Sequence, residues 1–314
     1  MPYLVRRLAS LVVVLVGVST LSFTLGALAP GDPAELFLER ALARSPTDAQ
    51  VAEQRRHMGL DRPLVVRYFA WLQGVMKGDL GSSWGTGRGV FTELVAALPK
   101  TILLATTAFL AAVAVGVPLG VAGAARAGSL IDQGSRVAAV LGTSLPTFVL
   151  GYLLMWLFGV ELRLLPVFGA RSARHLVLPA MTLAAGLAGM FTRVIRSNVM
   201  TSLGEDHVRA ARARGLPDRR VLYRHALRPS LVPFITLASL SLGHLLGGAV
   251  IVEWIFSWPG LGRLGVEAIH NRDYPMIQGW VLCMGAVFAA SSLLADLVYV
   301  WIDPRVRLAQ GAHA

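Results

Sequence analysis

Cutting the chain at every Asp, Glu, Lys and Arg leaves six uncharged runs, 8–31, 101–125, 137–160, 175–192, 229–252 and 274–295. They hold 24, 25, 24, 18, 24 and 22 residues. A helix needs about 20 apolar residues to cross the hydrocarbon of a bilayer. Backbone in lipid must satisfy its own hydrogen bonds, so each run predicts a helix. The run 175–192 is the shortest and contains His175 and Pro179. Six such runs in a 33.6 kDa chain are too many for a buried soluble core. The expected fold is an all-α membrane protein with six transmembrane helices.

Charge supports the same reading. Net charge is +11, which taken alone suggests a nucleic-acid partner, but only 15% of residues are charged and mean hydropathy is +0.61. Soluble domains carry about 25% charged residues, so the partner of this surface is membrane lipid and no nucleic acid is expected. Arginine supplies most of the basic residues, which removes weight from any single one. Cys283 is the only cysteine, which excludes an intrachain disulfide and a cysteine metal cluster.

The first run follows Arg6 and Arg7, and Ala27-Leu28-Ala29 has the small-x-small form of a signal-peptide cleavage site. The run exceeds the roughly 7–15 residues of a signal h-region, and it is read as a retained first helix. An even number of spans puts both termini on one side. The segments 1–7, 126–136, 193–228 and 303–314 together hold 15 Arg/Lys, against 5 in the short loops 161–174 and 253–273. The positive-inside rule then predicts N-in/C-in. The expected organisation is a tail and first helix over 1–31, an extracytoplasmic segment over 32–100, a transmembrane core over 101–302 with a cytoplasmic loop 193–228, and a cytoplasmic tail over 303–314. Within 32–100, a helical stretch around Asp48–Met58, a turn at Gly59–Pro63, an amphipathic stretch Leu64–Met76 and a Gly-rich turn from Gly78 to Gly89 are expected.

The inner loop 193–228 carries more than arginines. Glu205 and Asp206 complement a helix N-terminus. Val208, Ala210, Ala211 and Ala213 continue the helix, and Gly215 is placed for a left-handed stop. Pro217 then suits the start of a second short helix near Asp218–Leu227.

Residues 205–215, Glu-Asp-His-Val-Arg-Ala-Ala-Arg-Ala-Arg-Gly, resemble the cytoplasmic signature loop of ABC importer permeases. Ala210, Ala211 and Gly215 fit that pattern, with Arg209 where the family has an acid. Further stretches resemble the dipeptide/oligopeptide/nickel subfamily. They are Pro30-Gly31-Asp32-Pro33, Gly59-Leu60-Asp61-Arg62-Pro63, Gly78-Asp79-Leu80-Gly81, His225–Arg228, Glu253–Gly262, Asn271–Pro275 and Asp303–Arg307. Departures include His207 where Tyr is usual and Pro229 where Asn is frequent.

The resemblance implies a type I ABC importer permease for di- or oligopeptides, with a nickel or other small-solute permease as the alternative within the family. It implies a homologous second permease subunit, two cytoplasmic ATPase subunits docked on the loop, and an extracytoplasmic substrate-binding protein. The implied docking residues are Glu205, Asp206, His207, Arg209, Ala210, Ala211, Arg212, Ala213, Arg214 and Gly215. ATP and Mg belong to the ATPase subunits, and no cofactor is expected on this chain.

Catalysis by the chain itself is disfavoured. A phosphate loop needs Gly-Lys-Ser/Thr, but Lys77 follows Met76 and Lys100 follows Pro99. Gly81-Ser82-Ser83-Trp84-Gly85 matches a nucleophile elbow in letters, yet its Gly-rich surroundings read as a turn. The seven histidines form no close pair, so no metal site is expected. His244, deep in the fifth run, is a candidate for the translocation path or for a helix–helix hydrogen bond. Glu253 ends that run, and Trp254, Phe256 and Trp258 follow it. These are candidates for an outer gate, or an aromatic interface belt. A stand-alone channel or receptor is the alternative of another class.

Overall fold

The computed structural model describes residues 2–28, 32–42 and 45–302. Pro30-Gly31 and the tail 303–314 lie outside the described residues, as do the side chains of His244 and Asp296. The described elements are helical. In chain order they are α1 (Pro2–Leu28), α2 (Pro33–Leu42), α3 (Asp48–His57), α4 (Leu64–Met76), α5 (Val90–Ala125), α6 (Leu130–Ser144), α7 (Thr147–Leu154), α8 (Arg174–Leu203), α9 (Asp206–Ala213), α10 (Asp218–Arg220), α11 (Leu227–Ile255), α12 (Leu261–His270) and α13 (Tyr274–Ile302). Wider π-type turns follow α7, over Met155–Glu161, and α10, over Val221–Ala226.

Among the described residues, four stretches are each long and apolar enough to cross a membrane: Val90–Ala125, Arg174–Leu203, Asp218–Gly243 and Tyr274–Ala295. Leu130–Ser144 and Thr147–Glu161 pass only together and meet at a bend of 108°. This corrects the expectation of a single unbroken helix over 137–160. The cause is Pro146. Its ring disfavours helical geometry at the preceding residue, and Leu145 turns to φ −76°, ψ 128°. The shorter run 175–192 gives the opposite result. Pro179 is tolerated inside α8, which extends well beyond the run at its C-terminal end.

The chain divides into two compact units. One comprises Met1–Pro99 and Arg263–Ala289. Here α3 begins with a capping box, in which Thr47 and Gln50 exchange side-chain and backbone bonds. α4 packs on α1 through Phe23, Tyr68 and Trp71, and the Tyr68 hydroxyl meets those of Ser19 and Thr20 at 3.0 and 2.9 Å. The expected Gly-rich turn is present, with Gly78, Gly81 and Gly87 at positive φ. Ser83 lies in it, donating to the buried Asp273 carboxylate at 2.5 Å, while Asp273 also accepts from the Gly85 and Met276 N–H groups. A turn tied to the start of α13 is not a nucleophile elbow.

The second unit comprises Lys100–Gly262 and Ala290–Ala314, and holds the main core. Its organiser is α8, whose buried face includes Leu178, Phe191, Ile195 and Val199. Small residues let neighbouring backbones approach it, a packing device suited to lipid. A Cβ on Gly116 would lie 2.8 Å from the Ala188 carbonyl, and one on Gly120 2.7 Å from that of Thr192. Gly189 and Gly142 form the α6–α8 contact in the same way, facing the Ala139 and Ala185 carbonyls. The glycines of α11 differ: Gly247 has open space and Gly248 only ordinary contact. Helical spacing alone did not separate these cases.

Candidate functional site

Two arrangements in the second unit carry the residues singled out by sequence. The first is a helical hairpin between α8 and α11. α9 spans Asp206–Ala213, with Glu205 as its N-cap at φ −77°, ψ 156°. Gly215 has φ +78°. Its N–H reaches the Arg212 carbonyl at 2.8 Å, and the Leu216 N–H reaches that of Ala211 at 3.4 Å. This pair of bonds is a Schellman stop, and it needs a left-handed residue at the Gly215 position. Val208, Ala211 and Val221 are fully buried together, with Leu203 and Leu216 packed against them. Ala211 therefore faces its own hairpin and not the outer surface, which separates it from the expected docking residues. The outer face of α9 is Asp206, Arg209, Ala210 and Ala213. Arg212 and Arg214 are also exposed; Arg212 lies 3.7 Å from Asp218, and Arg214 Nε bonds the Ala210 carbonyl.

Beyond Gly215 the structure departs from the expected second short helix. Pro217 is the N-cap of α10, at φ −63°, ψ 142°, and α10 runs on through the π-type turn into α11 without leaving helical geometry. Pro229 sits inside this continuous helix. It has no N–H to offer the carbonyl four residues back, that of His225. His207 Nε2 donates to that carbonyl at 3.0 Å, while its Nδ1 lies 3.1 Å from Glu205 Oε2. A neutral imidazole has one N–H and can serve only one of these acceptors. His207 thus ties α9 to the helix that becomes α11.

A contact between α6 and α8 had no counterpart in the sequence expectations. Asp132, in the first turn of α6 and 1% exposed, receives Arg196 of α8 through Nε at 2.5 Å and Nη2 at 2.8 Å. The Gly128 N–H adds a third bond at 2.9 Å. The available signal was Ser129-x-x-Asp132, a helix-start pattern, and Ser129 Oγ does accept the Asp132 N–H.

The second arrangement surrounds Glu253, in the last turn of α11. Its side chain is fully buried, and Oε2 accepts the Gly262 N–H at 2.7 Å, in the first turn of α12. A Cβ on Gly260 would collide with the carboxylate, and one on Gly262 with Val250. The segment is fixed on both sides. Trp258 Nε1 donates to the Lys100 carbonyl at 3.0 Å, and the Leu261 N–H to Thr101 Oγ1 at 2.8 Å. Ser257 takes φ +51°, and the Trp258 N–H returns to the Glu253 carbonyl at 2.8 Å. Phe256 and Trp258 are buried, so neither belongs to an interface belt. Trp254 is 42% exposed and alone of the three presents a ring outward. His244 lies on α11, and its side chain is outside the described residues.

Known proteins with this pattern are consistent in kind. The family described as "Binding-protein-dependent transport system inner membrane component" matches residues 116–308, and its N-terminal companion matches residues 1–105. The glutathione transport system permease protein GsiC of Salmonella choleraesuis (strain SC-B67) is 40% identical over 306 residues, covering 97% of this chain and 98% of the relative. The probable peptide ABC transporter permease protein y4tP of Sinorhizobium fredii (strain NBRC 101917 / NGR234) is 37% identical over 313 residues, covering 97% and 99%. Among solved structures, a chain of the MetNI methionine ABC transporter in inward-facing conformations aligns with TM-score 0.56 at 18% identity. That alignment covers 67% of this chain and 96% of the other, and it shows a shared fold.

Proposed function

The chain belongs to the binding-protein-dependent transport system inner membrane component family, and on that premise we propose that it carries small peptides through an ATP-driven importer. It is a multi-pass inner-membrane permease subunit of an ABC importer. The family works with ATPase and binding-protein partners, and the permease is not itself an enzyme. Peptide cargo is supported by full-length relatives named for glutathione and for peptides.

The observation that carries the mechanism is the α9 hairpin, a short stiff helix with a polar outer face and a left-handed stop. Two ATPase subunits would dock there, one on this chain and one on a homologous second permease. Asp206, Arg209, Ala210 and Ala213 would meet the ATPase, while Val208 and Ala211 support them from behind. No cofactor is assigned to this chain, and ATP and Mg would be bound by the ATPases. The proposed topology is six spans, α1, α5, the bent α6–α7 pair, α8, the α10–α11 helix and α13, with both termini inside. The Glu253–Gly262 segment then lies on the outer side, where a binding protein delivers cargo. ATP closure of the ATPases shifts the permease between inward-open and outward-open states only by binding them unequally.

The test is reconstitution with the second permease, the ATPases and the binding protein. Peptide-loaded binding protein should stimulate ATP hydrolysis and drive uptake, and Ala213→Cys should cross-link to an ATPase. A chain that conducts solute with the ATPases removed would refute the reading.

A further inference from the structure

Four of the motifs left without a role by the hairpin and the Glu253 segment meet at one cavity. Asp32 and Pro33, Leu60, Trp84 and Tyr274 come from separate stretches, and together with Arg55 and Arg67 they line a space of about 340 Å³ in the first unit. We propose that this cavity is a carboxylate-binding vestibule for the peptide cargo, with the Arg67 guanidinium as its anchor. The proposal rests on the peptide reading above and adds a site to it.

The charges are unbalanced in favour of an anion. Arg55 Nη1 is paired with Asp32 Oδ2 at 3.2 Å, and Asp32 Oδ1 is already used by the Ala34 N–H at 3.0 Å. Arg67 has no ion-pair partner among the described residues, and its guanidinium lies over the Phe23 ring at 5.9 Å. Burial, and then the neighbouring Arg55 charge, lowers the pKa of Arg67 from its ordinary value. Each effect disfavours a cation at this place, and a bound carboxylate relieves both. A guanidinium presents two parallel donors matched to a carboxylate, so a free carboxyl terminus is the group that fits.

The remaining walls suit the rest of a short peptide. Trp84 and Tyr274 meet edge to face at 5.7 Å and give an apolar side. Gln278 adds amide hydrogen bonding, and a Cβ on Gly26 would come within 3.3 Å of its Nε2. The volume is within the range of small-molecule sites. It accommodates a di- or tripeptide, or one end of a longer chain.

The probe is Leu60→Cys in a Cys283→Ser background, in the full permease–ATPase complex in nanodiscs without binding protein. Labelling of this chain by an anionic and a cationic methanethiosulfonate reagent is followed with added dialanine or dialanine amide. Dialanine should slow the anionic reagent about tenfold, as expected for loss of one charged hydrogen-bonded contact, and the amide should have little effect. Arg67→Met should abolish the protection and the preference for the anionic reagent, and Arg67→Lys should retain part of both. If Arg67→Met does not assemble, the contrast between acid and amide in the parent decides. No protection in a complex that imports dialanine when its binding protein is restored overturns the site and leaves the peptide reading intact. Protection in a complex that imports no peptide supports the site and refutes that reading. Labelling that follows the phosphatidylglycerol content of the nanodisc and ignores dialanine marks a lipid headgroup site and overturns the proposal.

Discussion

Replacing Gly215 isolates backbone geometry from packing. Its φ is +78°, and a Cβ built there has nothing within 4 Å. No side chain would collide, so the effect of substitution is conformational. A residue with a Cβ in the left-handed region costs about 1–2 kcal/mol, and asparagine is the best tolerated. That is a factor of about 5–30 in a local equilibrium. It is similar to the burial of one valine, about 1.5–3 kcal/mol, and Val208 is one of only three fully buried side chains in the hairpin cluster. The loss is enough to release the Leu216–Ala211 and Gly215–Arg212 bonds and tilt α9, and too small to unfold the spans. In the reconstituted complex, stimulated ATP hydrolysis and uptake should therefore fall in the order Gly, Asn, Ala, Val, at constant membrane abundance. Wild-type coupling in Gly215→Val would refute the reasoning. Equal loss in all three variants would also refute it, because the positive φ would then not be the reason for the glycine.

Other contacts give further expectations. Glu253→Ala removes the acceptor for the Gly262 N–H inside a closed cradle, and should destabilise by about 1–3 kcal/mol; thermal unfolding in detergent should show this, with Gly260→Ala producing a similar drop by collision. Asp132→Asn and Arg196→Gln should each lower the melting temperature, and the double variant should lose less than their sum because both remove one bridge. Gly189→Val on α8 forces away α6, whose Ala139 carbonyl a Cβ at that place would approach to 2.5 Å, and should destabilise by about 1–3 kcal/mol through overpacking. Ala211→Trp should disrupt the hairpin and reduce abundance or stability, whereas Ala213→Trp should leave the permease folded and abolish ATPase cross-linking.

Four span-length apolar helices and one bent pair were legible because charge is expensive in hydrocarbon, so its absence marks candidate lipid-crossing segments. That signal measures composition and is blind to backbone. It passed over Pro146, which turns one uncharged run into two helices, and it gave Pro179 more weight than the structure does. The α9 hairpin was legible because its stop is written in local chemistry, Gly215 followed by Pro217. Its facing was less so. Ala211 differs from Ala210 and Ala213 in packing with Val208 and Val221, a tertiary fact. Asp132–Arg196 was hidden because a chain rich in arginine gives no reason to single one out. Glu253 looked like the end of a span near water, and it proved to be a buried clamp because two glycines nine residues or fewer away leave room for its carboxylate.

The two arrangements in the second unit lie at opposite ends of one continuous helix, from Asp218 to Ile255. At 1.5 Å per residue such a helix is on the order of 55 Å long. A long helix transmits displacement only if its ends are gripped and its soft places are braced. The far end is gripped by the Glu253–Gly262 bond and by Trp258 on Lys100. The soft place is the π-type turn at Val221–Ala226, followed at once by Pro229. There Pro229 leaves the His225 carbonyl without its i+4 donor, and His207 supplies one from outside the helix; Ser230 Oγ adds a bond to the Ala226 carbonyl at 2.7 Å. The brace therefore comes from α9 itself. A displacement of α9 would therefore pull on the π-type turn through the single His207 bond to the His225 carbonyl, so His207→Phe should loosen this turn.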